Sequence, residues 1–203
     1  MSLLADHLGH LLGVVVDPGQ VRQFDRKDGG QGKVRTVLLG DDTGKIRLTL
    51  WNEQADLPLE KGEALEIINA SCRERYGSLE ISTGSYSTVR KSSKKISYSE
   101  KTTPIADLCA GSISSIRGYV TGIGEVREFQ REDGRTGKVA SIYVSDDTGR
   151  VRVALWAEHA DRLQGLDIGY RAEIVDALVK EGWNEGLELS CGWKTLITFA
   201  PPG

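Results

Sequence analysis

The chain has 203 residues, 39% of them hydrophobic and 27% charged, with a formal net charge of −3. This is the composition of an ordinary globular protein, and the length suits two domains of about 100 residues each. It contains no run of about 18 apolar residues, which excludes a membrane-spanning helix, and its three cysteines, Cys72, Cys109 and Cys191, have neither the spacing of a zinc site nor the even count of a disulfide scaffold.

From the N-terminus, Met1 to Gly13 lacks the basic start of a secretory signal peptide, and Leu3 to Leu12 reads as either a short helix or a first strand. Val21 to Phe24 ends a strand. Arg26 to Lys33 is a polar, glycine-rich loop, followed by a strand over Val34 to Leu39. Asp41-Asp42-Thr43-Gly44 is a hairpin turn: an Asp side chain initiates it and Gly supplies the backbone freedom to close it. Lys45 to Trp51 alternates polar and apolar residues with period two, as a half-buried strand does. Glu53 to Asp56 is a short helical piece. Strands Glu63 to Cys72 and Leu79 to Thr83 follow, joined by the tip Arg73 to Ser78.

Residues 85–104 carry five basic side chains (Arg90, Lys91, Lys94, Lys95, Lys101) against one acidic, Glu100, in a serine- and threonine-rich setting. Residues 1–84 and 105–203 are both net acidic. The segment reads as a solvated linker, with a second use as a phosphate-attracting bridge.

Then the pattern returns. Val126 to Asp161 repeats Val21 to Asp56, 105 residues on, with nineteen of thirty-six positions identical. The second copy has its loop at Arg131 to Lys138, a strand at Val139 to Val144, a turn at Asp146 to Gly149 and a strand at Arg150 to Trp156. A helical piece at Ala157 to Leu163 and strands Tyr170 to Val179 and Leu187 to Ser190 complete it, the last two joined by Lys180 to Gly186. Residues 193–199 add a terminal strand or pack back on the rest, and Ile105 to Leu108 has no clean counterpart in the first copy.

Five short strands in about 90 residues, with one helical piece after the third, fit a Greek-key barrel, of which the OB-fold is the leading member. The predicted fold class is therefore all-β, two tandem OB-folds from an internal duplication. The boundaries are 1–84 for the first, 85–104 for the linker and 105–203 for the second. OB-folds bind oligonucleotides across strands 2 and 3 and the loops joining strands 1–2 and 4–5.

Alternation also assigns faces. Ile46, Leu48 and Leu50 point inward, leaving Arg47, Thr49 and Trp51 outside; in the second copy Val151, Val153 and Leu155 point inward, leaving Arg152, Ala154 and Trp156 outside. A tryptophan beside an arginine on an outer face offers a ring for a base and a cation for a phosphate. A second aromatic sits in each strand 4–5 loop: Tyr76 between Arg73, Arg75 and glycine, and Trp183 near Lys180. The predicted base-stacking set is Trp51, Tyr76, Trp156 and Trp183. The predicted phosphate contacts are Arg22, Arg26, Lys33, Arg47, Arg73 and Arg75 in the first copy, and Arg127, Arg131, Lys138, Arg152 and Lys180 in the second. Phe24 and Phe129 read as core plugs at a barrel end more readily than as base contacts. Tyr143 falls on the outer face, but the first copy has Leu38 at that position, so it carries little weight; Lys45 and Arg150, beside the turn, are the weakest cations. The turn explains the paired aspartates, and neither a metal site nor a nucleophile–base pattern appears, so no enzyme activity, cofactor or small-molecule substrate is expected.

Gly32-Lys33-Val34, Asp41 to Arg47, Leu50 to Asp56, Asp146 to Arg152 and Leu155 to Asp161 resemble replication protein A, the single-stranded DNA-binding protein of archaea and eukaryotes, most closely its archaeal forms and the DNA-binding OB domains of the eukaryotic large subunit. The resemblance covers nearly the whole chain. It implies base stacking by an aromatic ending strand 3 and another in the strand 4–5 loop, which match Trp51 and Tyr76, and Trp156 and Trp183. It further implies sequence-tolerant binding of single-stranded DNA in replication, repair or recombination, in the cytoplasm at a prokaryotic nucleoid; no acidic protein-recruiting domain is evident, so other subunits or replication and repair proteins stay open as further partners without being implied by the resemblance. The zinc-binding cysteines of some members have no match here. Two alternatives stay open from the residues: an RNA-binding OB protein, or an OB-fold protein-interaction module in a DNA-repair assembly.

Overall fold

The computed structural model describes residues 8–27, 29–75, 78–182 and 186–203. The chain divides into two compact units, Met1–Ser99 and Glu100–Gly203. In the first unit the strands are β1 (Leu8–Asp17), β2 (Val21–Asp25), β3 (Gln31–Gly40), β4 (Lys45–Trp51), β5 (Ala64–Arg75), β6 (Ser78–Ser82) and β7 (Thr88–Lys91), with a 3-10 helix over Asn52–Asp56. Neighbouring strands close a ring in the order β1-β3-β4-β6-β5 and back to β1, all antiparallel except the parallel β4–β6 pair.

The second unit opens with a 3-10 helix at Ile105–Asp107. Its strands are β8 (Ile113–Ile123), β9 (Arg127–Gln130), β10 (Thr136–Ser145), β11 (Arg150–Trp156), β12 (Arg171–Glu181), β13 (Leu187–Cys191) and β14 (Leu196–Ala200), with a 3-10 helix over Ala157–Leu163. It closes the same way, β8-β10-β11-β13-β12 and back to β8, with β11–β13 parallel. Each unit is a five-stranded Greek-key barrel with an added strand on β5 or β12. These are two OB-folds.

The period-two pattern fills both barrels as expected. Leu48, Leu50, Val153 and Leu155 are fully buried, Val151 nearly so, and Ile46 packs against the first core from its edge. Each large apolar side chain so buried contributes about 1.5–3 kcal/mol by the area it removes from water. Ile105 and Leu108 join the second core, so the segment without a counterpart is a plug for that barrel. Leu8 to Asp17 is strand, which decides the helix-or-strand alternative for Leu8 to Leu12; residues 3–7 lie outside the described residues.

The linker differs from expectation. Thr88–Lys91 pairs with β5, Arg90 bonds Glu66, and Lys91 bonds Glu63 at 2.5 Å. Those bonds hold both glutamate carboxyls below their ordinary range. Glu66 on β5 and Glu63 just before it draw the start of the basic run onto the barrel, so the first unit extends beyond residue 84.

Both hairpin turns are built alike. Asp41 Oδ1 accepts from Thr43 N and Oγ1 and from Gly44 N at 2.8, 2.6 and 3.1 Å; Asp146 Oδ1 accepts from Thr148 N and Oγ1 and Gly149 N at 2.8, 2.6 and 2.9 Å. The second turn does more, since Asp146 Oδ2 also accepts from Ile105 N at 2.9 Å. The Thr43 hydroxyl bond chiefly holds the Asp41 carboxyl below its ordinary 3.8. At Asp146 burial pushes upward but the Thr148, Ile105 and Gly149 bonds outweigh it. Their stabilisation is therefore complete above pH 3.8 and fades as pH falls through the lower folded values. Asp146→Ala is expected to destabilise its unit by about 1 kcal/mol more than Asp41→Ala does its own, the value of the extra bond. Thermal melts of the two variants at neutral pH check this; equal losses would mean the Ile105 bond contributes nothing.

Candidate nucleic-acid interface

Trp51 and Trp156 end β4 and β11. Parallel pairing sets Thr49 beside Ser82 and Ala154 beside Ser190, so each indole leans back over that serine. Trp51 Nε1 donates to Ser82 Oγ at 2.9 Å, and Trp156 Nε1 to Ser190 Oγ at 3.1 Å. With the N–H committed, each ring presents carbon π-surface outward; Trp51 is 39% exposed and Trp156 half-buried.

A second ring flanks each. Phe24 meets Trp51 edge-on, centroids 5.9 Å apart and planes at 82°; Phe129 meets Trp156 at 6.0 Å and 90°. Such T-shaped pairs contribute about 0.5–1.5 kcal/mol beyond burial. Glycine makes room for both phenylalanines: a Cβ at Gly32 or Gly137 would stand 2.4 Å from the facing phenyl ring. Phe24 and Phe129 are each 38% exposed and lie in neither core. The expectation of core plugs is thus corrected. Because β2 and β9 are arms paired only with β3 and β10, their side chains have no barrel interior to enter. The Phe–Gly spacing, present in both copies, was the available signal.

The helical motif has a structural task. Lys33 Nζ bonds Asp56 and Lys138 Nζ bonds Asp161, both at 2.7 Å, while Ala55 and Ala160 are buried. Asp161 raises the Lys138 pKa through that bond. A phosphate at either lysine would compete with this carboxylate. Arg26 donates to Asn52 Oδ1 at 2.5 Å. Arg152 pairs with Glu188, and Arg47 stands opposite Glu80 in the same register. Arg22, Arg73, Arg127, Arg131 and Lys180 are exposed and have no ion-pair partner among the described residues. Tyr76 and Trp183 lie outside the described residues, as does the Arg75 side chain.

The structure brings Arg127 and Arg152 together at one cleft of the second unit, where Tyr143, Arg150 and Glu188 join them. Tyr143 and Arg150, given little weight from sequence, therefore belong with the candidate site.

Paired outward aromatics over strand 3, cations beside them and two closed barrels define the class: a tandem OB-fold protein. Residues 8–91 match the family described as single-stranded DNA binding protein Ssb-like, OB fold. Within that class the chain is similar to replication factor A of Methanothermobacter thermautotrophicus, 30% identical over 95% of this chain and 26% of that protein. It is also similar to the replication protein A 70 kDa DNA-binding subunit of Xenopus laevis, 24% identical over 74% of this chain and 28% of that one. A replication protein A heterotrimer bound to ssDNA matches in fold with a TM-score of 0.68 at 16% identity, over 99% of this chain and 50% of that one. The chain is thus similar to replication protein A, and it spans about a quarter of the length of these two curated relatives.

Proposed function

We propose that this chain binds single-stranded DNA with little sequence preference, one stretch on each barrel, and protects exposed strands during replication, repair or recombination. The observation that carries the reading is the twofold recurrence of an outward tryptophan whose N–H is bonded to serine and whose flank is a phenylalanine. A ring without a free polar atom favours the faces of bases, and every base has one. Arg22, Arg73, Arg127, Arg131 and Lys180 supply cations for phosphates, with Arg26, Lys33, Lys138, Arg47 and Arg152 contributing by exchange of their present partners. Tyr76 and Trp183 complete the stacking set at the strand 4–5 loops. Two tethered barrels bind one strand more tightly than either alone through effective concentration. Relatives whose names state DNA binding, and a heterotrimeric neighbour, support DNA as ligand and further subunits as partners.

The test is a titration of intrinsic tryptophan fluorescence with a thymidine 30-mer, a matched uridine 30-mer and a duplex, at two salt concentrations. Saturable quenching by the DNA strand that weakens with salt is expected. Absence of quenching by any strand, with circular dichroism native, would remove the reading in favour of a protein-interaction module; tighter binding of the uridine strand would reassign the ligand to RNA.

A further inference from the structure

Tyr143 stands on β10 opposite Arg152 of β11 and Gly122 of β8. The Arg150 guanidinium lies over its ring, 4.2 Å from the centroid. Glycine at 122 leaves the space for this stack: a Cβ there would come 3.1 Å from the Tyr143 ring and 3.0 Å from the Arg150 guanidinium. The stack walls an open cleft of about 620 Å³ that Arg127, Arg152 and Glu188 also line. Glu188 is taken up by Arg152, whereas Arg127 and Arg150 have no acidic partner among the described residues.

An aromatic ring, a guanidinium held on it and a second arginine without a counter-charge match one nucleotide of a single strand. The base stacks on the outer plane of the guanidinium and the phosphate meets the cations. The place is distinct from the tryptophan. Arg152 precedes Trp156 by four residues of strand, roughly 13 Å at the strand rise. Successive stacked nucleotides rise only about 3.4 Å, so one base cannot serve both.

The first unit lacks this arrangement. The counterpart of Tyr143 is Leu38, only 3% exposed, and that of Arg150 is Lys45, which has no plane to stack. Two residues along the same face, the Tyr98 ring lies on Gly40, where a Cβ would come 2.4 Å from it.

We infer that the second barrel holds a nucleotide subsite absent from the first, with a base on Arg150 over Tyr143 and its phosphate at Arg127. The inference rests on the single-stranded DNA reading. It makes the two barrels unequal: the second contacts more of the strand and anchors it.

The test uses the full chain with Tyr143→Leu, which restores the first-unit residue, Tyr143→Phe and Arg150→Lys. Affinity for a labelled thymidine 30-mer is read by anisotropy, and tryptophan quenching is read alongside. Tyr143→Leu and Arg150→Lys are each expected to weaken binding about tenfold, within the range of one lost stack, while Tyr143→Phe binds as the parent. Quenching at saturation stays unchanged, because Trp51 and Trp156 still stack. Arg150→Lys keeps the charge at an exposed position, so it separates the stack from both net charge and folding. Parental affinity in both Tyr143→Leu and Arg150→Lys, with quenching intact, overturns the subsite and leaves the DNA reading standing. A parent protein that neither quenches nor binds overturns both.

Discussion

Replacing Trp51 and Trp156 together with alanine is expected to weaken binding of a thymidine 30-mer by roughly 30-fold or more, since each lost stack costs about 1–3 kcal/mol. The fold should survive. Each indole rests on a serine hydroxyl and a phenylalanine edge outside the core, and the core clusters contain neither tryptophan. Each single variant should lose part of the effect. The two losses should add in free energy, because the residues lie in separate units without shared partners. Fluorescence anisotropy gives the affinities, and far-ultraviolet circular dichroism checks the fold. Unchanged affinity in a natively folded double variant would show that the strand-3 tryptophans are not where bases stack.

Gly19→Ala should produce the largest loss of stability. Gly19 sits at φ +62, a left-handed backbone that costs an L side chain about 1–2 kcal/mol. Its Cβ would stand 2.0 Å from the Thr36 carbonyl oxygen, a backbone atom of β3 that cannot rotate away. Overpacking of this kind adds about 1–3 kcal/mol, for a total near 3 kcal/mol. The consequence reaches the interface. Gly19 lies in the turn between β1 and the β2 arm, whose entry is tied down by Arg35 Nε donating to the Pro18 carbonyl at 2.7 Å. Moving that turn shifts Arg22 and Phe24, and with them the flank of Trp51. A melt of the full chain should show the first unit unfolding earlier while the second keeps its midpoint. A parental melt for the first unit would mean the turn relaxes without cost, and that the arm is not held as described.

Much of the architecture was readable before any coordinate. Strands β4 and β11 show their two faces in the alternation of Lys45 to Trp51 and Arg150 to Trp156, and the Asp41 and Asp146 turns announce themselves because the aspartate bonds groups only two and three residues away. Recurrence did the rest, marking Trp51 and Trp156 as residues kept for a shared reason. The misjudged residues share a different property. Phe24 reads more readily as a core plug than as a base contact, because nothing local shows that β2 leaves the barrel. Arg90 and Lys91 read as linker because their glutamate partners, Glu66 on β5 and Glu63 just before it, lie more than twenty residues back.

What the sequence determined on its own is therefore everything set by neighbours along the chain: strand periodicity, turn chemistry, the duplication and the outward tryptophans. Only the tertiary structure decided which distant side chains meet. It joined Lys33 to Asp56, laid Phe24 across Gly32, set Tyr98 on Gly40 in one barrel and opened the Tyr143–Arg150 cleft in the other. The physical reason is register. Cross-strand contacts depend on which residue of one strand lies opposite which residue of another, and that offset is settled by closing the whole barrel around its core, not by any short stretch of residues.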